Sequence, residues 1–232
     1  MTGIVDYNAG NIKSVEHALE SLKAPFVLSK NPLDLEKCDR IIFPGVGDAA
    51  YAMQQLKFTG FDVFLKNWAA SGKPLIGVCL GSQIIFEHSE EGDTECLGLL
   101  KGTIRHFSKI WAERNPDKVE HEQLAMLHNT LKVPHMGWNN ITFCNGSSKL
   151  LAGVPDESNF YFVHSYVIQP KDPTIIKAYA DYGAMVPAVV EKDNITAFQF
   201  HPEKSGECGM QILRNFVAAD LSASKKYGGA SC

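Results

Sequence analysis

Apolar residues recur along this chain in two rhythms, one in each half. In the first half, short apolar runs alternate with amphipathic stretches. GIVDY near the N-terminus predicts a short buried strand, and NIKSVEHALESLKA places Ile12, Val15, Ala18, Leu19 and Leu22 at helical spacing. PFVLSK predicts a second strand, DLEKC a short helix or loop, and RIIFPGVGD a third strand closed by a Gly/Pro turn. A helix is expected from about Ala49, with FDVFLKNWAASG continuing its pattern to a glycine stop. PLIGVC is too short for a free helix and is flanked by breakers, so it predicts a central strand running into a helix, LGSQIIFEHS. Strands alternating with helices in this way predict an α/β fold with a parallel sheet covered on both faces.

The second half alternates faster. GLLKGTIRHF, NNITFC, NFYFVHSYVIQP, TIIKAYADYG, MVPAVVEKDN and ITAFQFHPE predict strands joined by turn residues such as Asp-Tyr-Gly and Lys-Asp-Asn. Helical spacing returns in GECGMQILRNFVAADLSASKK, at Met210, Leu213, Phe216 and Val217. No repeat and no linker separates the halves, so residues 1–232 are expected to form one domain. The charged stretch 109–131 interrupts the pattern and is expected as a solvated insertion, or else as a lid or docking element; 222–232 is expected as a flexible tail.

Composition narrows the function classes. The chain has 232 residues, 45% of them hydrophobic, with 22 basic against 26 acidic residues and a net charge of −4. No block of like charge is present to grip phosphate backbones, which argues against nucleic acid as a partner. The N-terminus lacks a signal-peptide pattern, and no apolar run approaches the roughly 20 residues that span a bilayer. No membrane association and a cytoplasmic location are the expectation. Six cysteines show no CxxC pair and no metal-finger spacing, so a reducing compartment, no metal and no organic cofactor are expected.

One cysteine stands out. GVCLGSQ, residues 77–83, matches the strand-to-helix elbow of G-x-S-x-G with sulfur in place of oxygen: small flanking residues permit a sharp turn that exposes the central side chain. Cys79 would sit at a helix N-terminus, where free N–H groups favour a thiolate, and the Leu80 N–H could donate to an oxyanion. A thiol nucleophile needs a base and a group to orient it. Of eight histidines, His201 ends the apolar strand in FQFHPEKS, and Glu203 follows after one stiffening proline.

GVCLGSQ together with FQFHPEKS resembles the class I, triad-type glutamine amidotransferases. DYNAGNIKSV, PGVG (44–47), SEEG (89–92), PHMGWN (134–139) and FYFVHSY (160–166) narrow the resemblance to the branch of glutaminase subunits of imidazole glycerol phosphate synthase, from Gly3 to about Phe216. The resemblance implies a flavodoxin-like three-layer fold, with a largely parallel central sheet and antiparallel strands added in the second half. It implies Cys79 as nucleophile, His201 as base and then acid, and Glu203 as orienting carboxylate, with Val46 and Leu80 supplying oxyanion donors. It places Gly47, Gln83, Glu91, Ser165 and Tyr166 around L-glutamine, and Asn11, Trp138, Tyr161 and Lys204 on the face that meets a HisF-like (β/α)8 cyclase subunit. Ammonia would pass from that face into the barrel to form imidazole glycerol phosphate and an aminoimidazole carboxamide ribotide. Two features depart from the branch: Ser82 stands where Met is usual, and the stretch before PHMGWN is long. A paralogue that delivers ammonia for sugar amidination is the alternative; a non-catalytic scaffold would be expected to break the triad, which is intact here.

Overall fold

Buried strands read as continuous apolar runs when both faces of a sheet are covered, and RIIFPG and LIGVC do so here. The structure is a computed structural model describing residues 1–9, 12–113 and 131–219. β1 (Thr2–Val5), β2 (Phe26–Ser29), β3 (Arg40–Gly45), β4 (Leu75–Cys79) and β14 (Ile195–Phe198) pair in parallel in the order β2-β1-β3-β4-β14. Three antiparallel strands extend this sheet: β13 (Met185–Lys192), β12 (Ile176–Asp181) and β9 (Thr142–Phe143). Every residue of β3 and β4 is buried. Alternate residues serve opposite faces, with Ile41, Phe43 and Leu75 in one apolar cluster and Ile42, Ile76 and Val78 in the other.

The amphipathic stretches cover these faces. α1 (Ile12–Ser21) buries Val15, Ala18 and Leu19, as its spacing predicts. α2 spans Pro32–Leu35, capped by the Asn31 side chain. The helical pattern from Ala49 is two helices, α3 (Ala49–Thr59) and α4 (Phe61–Ala70), because Gly60 takes a φ of +78° between them.

The helix expected over LGSQIIFEHS is cut short. α5 spans only Leu80–Ile84, and His88–Ser89 is a strand, β5. The cause is tertiary: the carbonyls of Ile84, Ile85 and Phe86 accept from Leu97, Leu99 and Gly98 at 2.9, 2.8 and 2.7 Å, so they are not free to continue a helical ladder. β5 joins β6 (Thr94–Glu95), β7 (Gly102–His106) and β11 (Tyr166–Pro170) in a small sheet ordered β11-β7-β5-β6. NFYFVHSYVIQP, expected as one strand, divides at Ser165 into β10 (Asn159–His164) and β11. Among the described residues β10 pairs only with β8 (His135–Asn140), so the two parts belong to different sheets.

α6 (Phe107–Glu113) contains the start of the stretch expected as a solvated insertion. Trp111 there is buried against Phe107 and Tyr182 and donates from Nε1 to the Tyr182 carbonyl at 3.1 Å. Residues 114–130 lie outside the described residues, as do the 222–232 tail and the distal part of the expected last helix. That helix, α7 (Gly206–Ala218), buries Gly209, Ile212, Leu213 and Phe216.

Arg40, at the start of β3, is buried and donates from Nη1 to the Phe216 carbonyl and from Nη2 to the Ala219 carbonyl at 3.2 Å. It therefore ties the end of α7 to β3, adding to the bond that the Phe216 carbonyl accepts from Ala219 N at 3.4 Å. Arg40→Met is expected to lower unfolding stability by about 2 kcal/mol, the scale of a lost hydrogen bond to a charged donor. Urea denaturation checks this, as a lower midpoint at unchanged slope.

Candidate active site

The elbow is built by close approach. A Cβ on Gly81 would lie 2.1 Å from the Phe43 carbonyl oxygen, and one on Gly77 would lie 2.9 Å from the Gly81 carbonyl oxygen. Both positions must be glycine for α5 to fold back over the end of β3. Cys79 between them takes φ +55° and ψ −114°, a conformation that L residues rarely adopt. Ser82, the departure noted in the sequence, donates from Oγ to the Cys79 carbonyl at 2.6 Å and so fastens the turn. α5 has only five residues, so its dipole is weaker than the expected helix would have given.

His201 follows β14, and Pro202 starts a short 3-10 turn that carries Glu203. His201 Nδ1 and Glu203 Oε1 are 2.7 Å apart, with both side chains buried. The turn is tied to β10: His201 N–H donates to the Tyr161 carbonyl at 3.0 Å, while Ser205 Oγ accepts from Tyr161 N at 3.0 Å and donates to the His201 carbonyl at 2.6 Å. Cys79 Sγ donates to the Val163 carbonyl of the same strand at 3.7 Å. His201 Nε2 is buried and makes no hydrogen bond of ordinary geometry. Burial alone would disfavour a charged ring, but the neighbouring Cys79 thiol and the Glu203 carboxylate outweigh it and raise the His201 pKa to about 9.

Cys79 and His201 face a cavity of about 300 Å³. Val46 and Leu80 line it beside them, and so do Gly47, Gln83, Glu91, Ser165 and Tyr166. Glu203 stands behind His201. Glu91 Oε2 accepts from Ala49 N at 2.9 Å, and burial raises its pKa against that bond. Lys204 also lines the cavity, with Nζ 6.0 Å from the centre of the Tyr161 ring. Trp138 is 58% exposed on β8, and its ring centre is 6.2 Å from that of Tyr161. Asn11 lies outside the described residues.

Sequence reasoning missed a second layer. His164 lines the cavity and donates from Nδ1 to the Tyr166 carbonyl at 2.7 Å; its Nε2 therefore accepts from His135 Nδ1 at 3.0 Å. Burial is the leading cause that lowers the pKa of His135 to about 4 and that of His164 to about 3. Gln199, completely buried just after β14, accepts from Gln83 at 2.9 Å. Tyr7 is buried against Phe43 and near Cys79, and burial raises its pKa. The signals were present in PHMGWN, FYFVHSY, FQFHPEKS and DYNAGN, but nothing in one sequence pairs the two histidines or the two glutamines.

The chain matches the model of the class-I glutamine amidotransferases over residues 3–219. It is similar to a solved glutamine amidotransferase at a TM-score of 0.66, with 15% identity, over 93% of this chain and 96% of that one. The glutaminase domain of Trypanosoma brucei CTPS, solved with bound acivicin, gives a TM-score of 0.59 at 16% identity over 94% of each chain. The chain belongs to the class-I glutamine amidotransferase family. Relatives within it include imidazole glycerol phosphate synthase subunits HisH. That of Halalkalibacterium halodurans is 44% identical over 229 residues, covering 98% of this chain and 100% of its own. That of Thiobacillus denitrificans is 39% identical over 234 residues, covering 99% and 97%. Among the described residues, no helix is long and apolar enough to cross a membrane.

The histidines set opposing pH dependences. His201 binds its proton more tightly when folded, so its contribution is complete below about pH 6.5 and is lost as the pH rises toward 9. His135 and His164 bind theirs less tightly when folded, so their contribution is complete above about 6.5 and is lost as the pH falls toward 4 and 3. Thermal melting is expected to give the highest midpoint near pH 6.5, and Glu203→Gln to flatten the alkaline limb while leaving the acid limb in place.

Proposed function

We propose that this chain hydrolyses L-glutamine to glutamate and ammonia as the glutaminase subunit of imidazole glycerol phosphate synthase, in histidine biosynthesis, and that a HisF-like (β/α)8 cyclase subunit receives the ammonia. The observation that carries the reading is the buried Cys79, His201 and Glu203 arrangement on the cavity, with the carboxylate 2.7 Å from the imidazole nitrogen that faces away from the thiol. Identity of 39–44% to HisH subunits over nearly whole chains supports the particular pathway over sugar amidination.

The chemistry is acyl transfer. His201 Nε2, whose pKa of about 9 lets the ring hold the proton taken from the thiol, faces Cys79 Sγ as the sulfur attacks the carboxamide carbon, and Glu203 holds Nδ1 to orient the ring. The proton then goes to the departing nitrogen, which leaves as ammonia, and water activated by the same ring releases glutamate from the thioester. Leu80 N–H and Val46 N–H are the oxyanion donors. Gly45 at the end of β3 pairs in register with Cys79, which brings the PGVG segment beside the nucleophile. Gly47 has φ +96° and no atom within 4 Å of a Cβ position, so the Val46–Gly47 peptide has room to turn. Losing one oxyanion donor typically costs roughly a hundred- to a thousandfold in rate, so the orientation of that peptide can gate the site. Gly47, Gln83, Glu91, Ser165 and Tyr166 hold the substrate.

Trp138 and Met136 project from the same side of β8, 58% and 62% exposed, beside Tyr161 and Lys204. This is the face assigned to the cyclase. In the complex, with the cyclase's phosphorylated ribulosyl ligand present, turnover of glutamine to glutamate should rise well above that of the isolated chain. Cys79→Ala should abolish it, and His201→Asn should lower kcat by about a hundred- to ten-thousandfold. An active cyclase that gives no stimulation would remove the pathway assignment.

A separate test concerns docking. Trp138→Ala is expected to weaken the complex by about 2 kcal/mol, the scale of a buried aromatic anchor. Calorimetric titration would show this as a raised Kd, while the KM for glutamine at saturating cyclase should stay unchanged.

A further inference from the structure

The Gln83 side chain makes two hydrogen bonds to the described residues, both from Nε2. One runs to the Tyr166 carbonyl at 2.9 Å and the other to Gln199 Oε1 at 2.9 Å. A primary amide has two N–H groups, and both are used. Turning the amide over would set Oε1 against two acceptor oxygens, so its orientation is fixed by its partners. The Tyr166 carbonyl is itself held, since it also accepts from His164 Nδ1 at 2.7 Å. None of the described residues donates to Gln83 Oε1, although Gln83 lines the cavity.

Gln199 is the less ordinary partner. It is fully buried, and its own Nε2 has no hydrogen-bond partner. Buried polar groups are nearly always paired, and an unpaired one calls for a reason. Next to Gln83, the reason is available: Gln199 is there for its oxygen.

We propose that Gln199 is a positioning residue for substrate recognition, holding Gln83 so that Gln83 Oε1 is presented to the cavity as an acceptor for the α-ammonium of glutamine. This rests on the glutaminase reading. Glutamine brings two donor groups, the carboxamide and the ammonium. The carboxamide carbon must lie at Cys79 Sγ, which leaves the ammonium for a fixed acceptor elsewhere in the cavity. Glu91, with Oε2 bonded to Ala49 N, keeps its other oxygen for the same group. Without the Gln199 oxygen one N–H of Gln83 loses its partner and the amide is free to swivel. Recognition of the ammonium is then weakened, while the thiol and its base are untouched.

The test compares two alkylating reagents on Cys79 in the full chain bound to its cyclase, following the Cys79 peptide by mass. 6-Diazo-5-oxo-L-norleucine carries the α-amino acid head of glutamine; iodoacetamide does not. Gln199→Met should slow alkylation by the first about ten- to a hundredfold, the scale of one hydrogen bond to a charged group. Alkylation by iodoacetamide should stay within about twofold. Gln199→Glu, which keeps an acceptor oxygen, should recover most of the loss. Equal slowing of both reagents would make Gln199 merely structural, and unchanged rates would leave it without a role; either overturns the proposal. A wild-type chain that reacts with iodoacetamide but not with the diazo reagent would instead overturn the glutaminase reading itself.

Discussion

The approach of Gly81 to the end of β3 governs the site. A Cβ there would overlap the Phe43 carbonyl oxygen at 2.1 Å, and one on Gly45 would lie 2.5 Å from Gly81 N. The absence of two side chains lets a helix start directly on top of a neighbouring strand. Two consequences follow from this contact. Cys79 is driven to positive φ at the tip of β4, and the segment after Gly45 is brought alongside it. Strain at one residue is tolerated because the surrounding sheet is buried and paired on both sides.

β10 is the second organising element, through its backbone more than its side chains. The Tyr161 carbonyl accepts from His201 N–H, Tyr161 N–H donates to Ser205, and the Val163 carbonyl accepts from the Cys79 thiol. One strand thus holds the nucleophile and the turn that carries its base. Its other edge is β8, where Trp138 and Met136 are exposed. These two strands form a sheet of their own. The face assigned to the cyclase and the catalytic side chains are therefore one strand apart, joined by directed hydrogen bonds and a ring stack of His135 on Phe162 with centres 4.7 Å apart. Contiguous bonds of this kind are the physical means by which docking on one face can bias geometry on the other.

What the sequence made legible follows from the range of the forces involved. The parallel half could be read because double burial leaves uninterrupted apolar runs, and the elbow because only glycine fits at 77 and 81. Cys79, His201 and Glu203 stood out because their spacing constrains chemistry locally. The helix after Cys79 was overextended because the carbonyls that end it are taken by residues 97–99, a contact without local signature. NFYFVHSYVIQP divides at Ser165 because its two parts meet different partner strands. Trp111 was assigned to a solvated insertion by the charges that follow it, yet its ring is core. The His135–His164 and Gln83–Gln199 pairs, 29 and 116 residues apart in sequence, are products of the finished fold.

The same fold leaves polar groups unpaired where chemistry is assigned. Tyr7 Oη, Gln199 Nε2, His201 Nε2 and Glu203 Oε2 are all buried without hydrogen-bond partners among the described residues, and they lie around the elbow, behind Gln83 and at the assigned base. Each such group costs about 1–3 kcal/mol when left unsatisfied, a substantial fraction of the stability of a domain. The large core on both sheet faces carries that load. On the proposed reading, His201 Nε2 shares a proton first with the Cys79 sulfur and then with the leaving nitrogen, so the partner it lacks in the fold is one the reaction supplies.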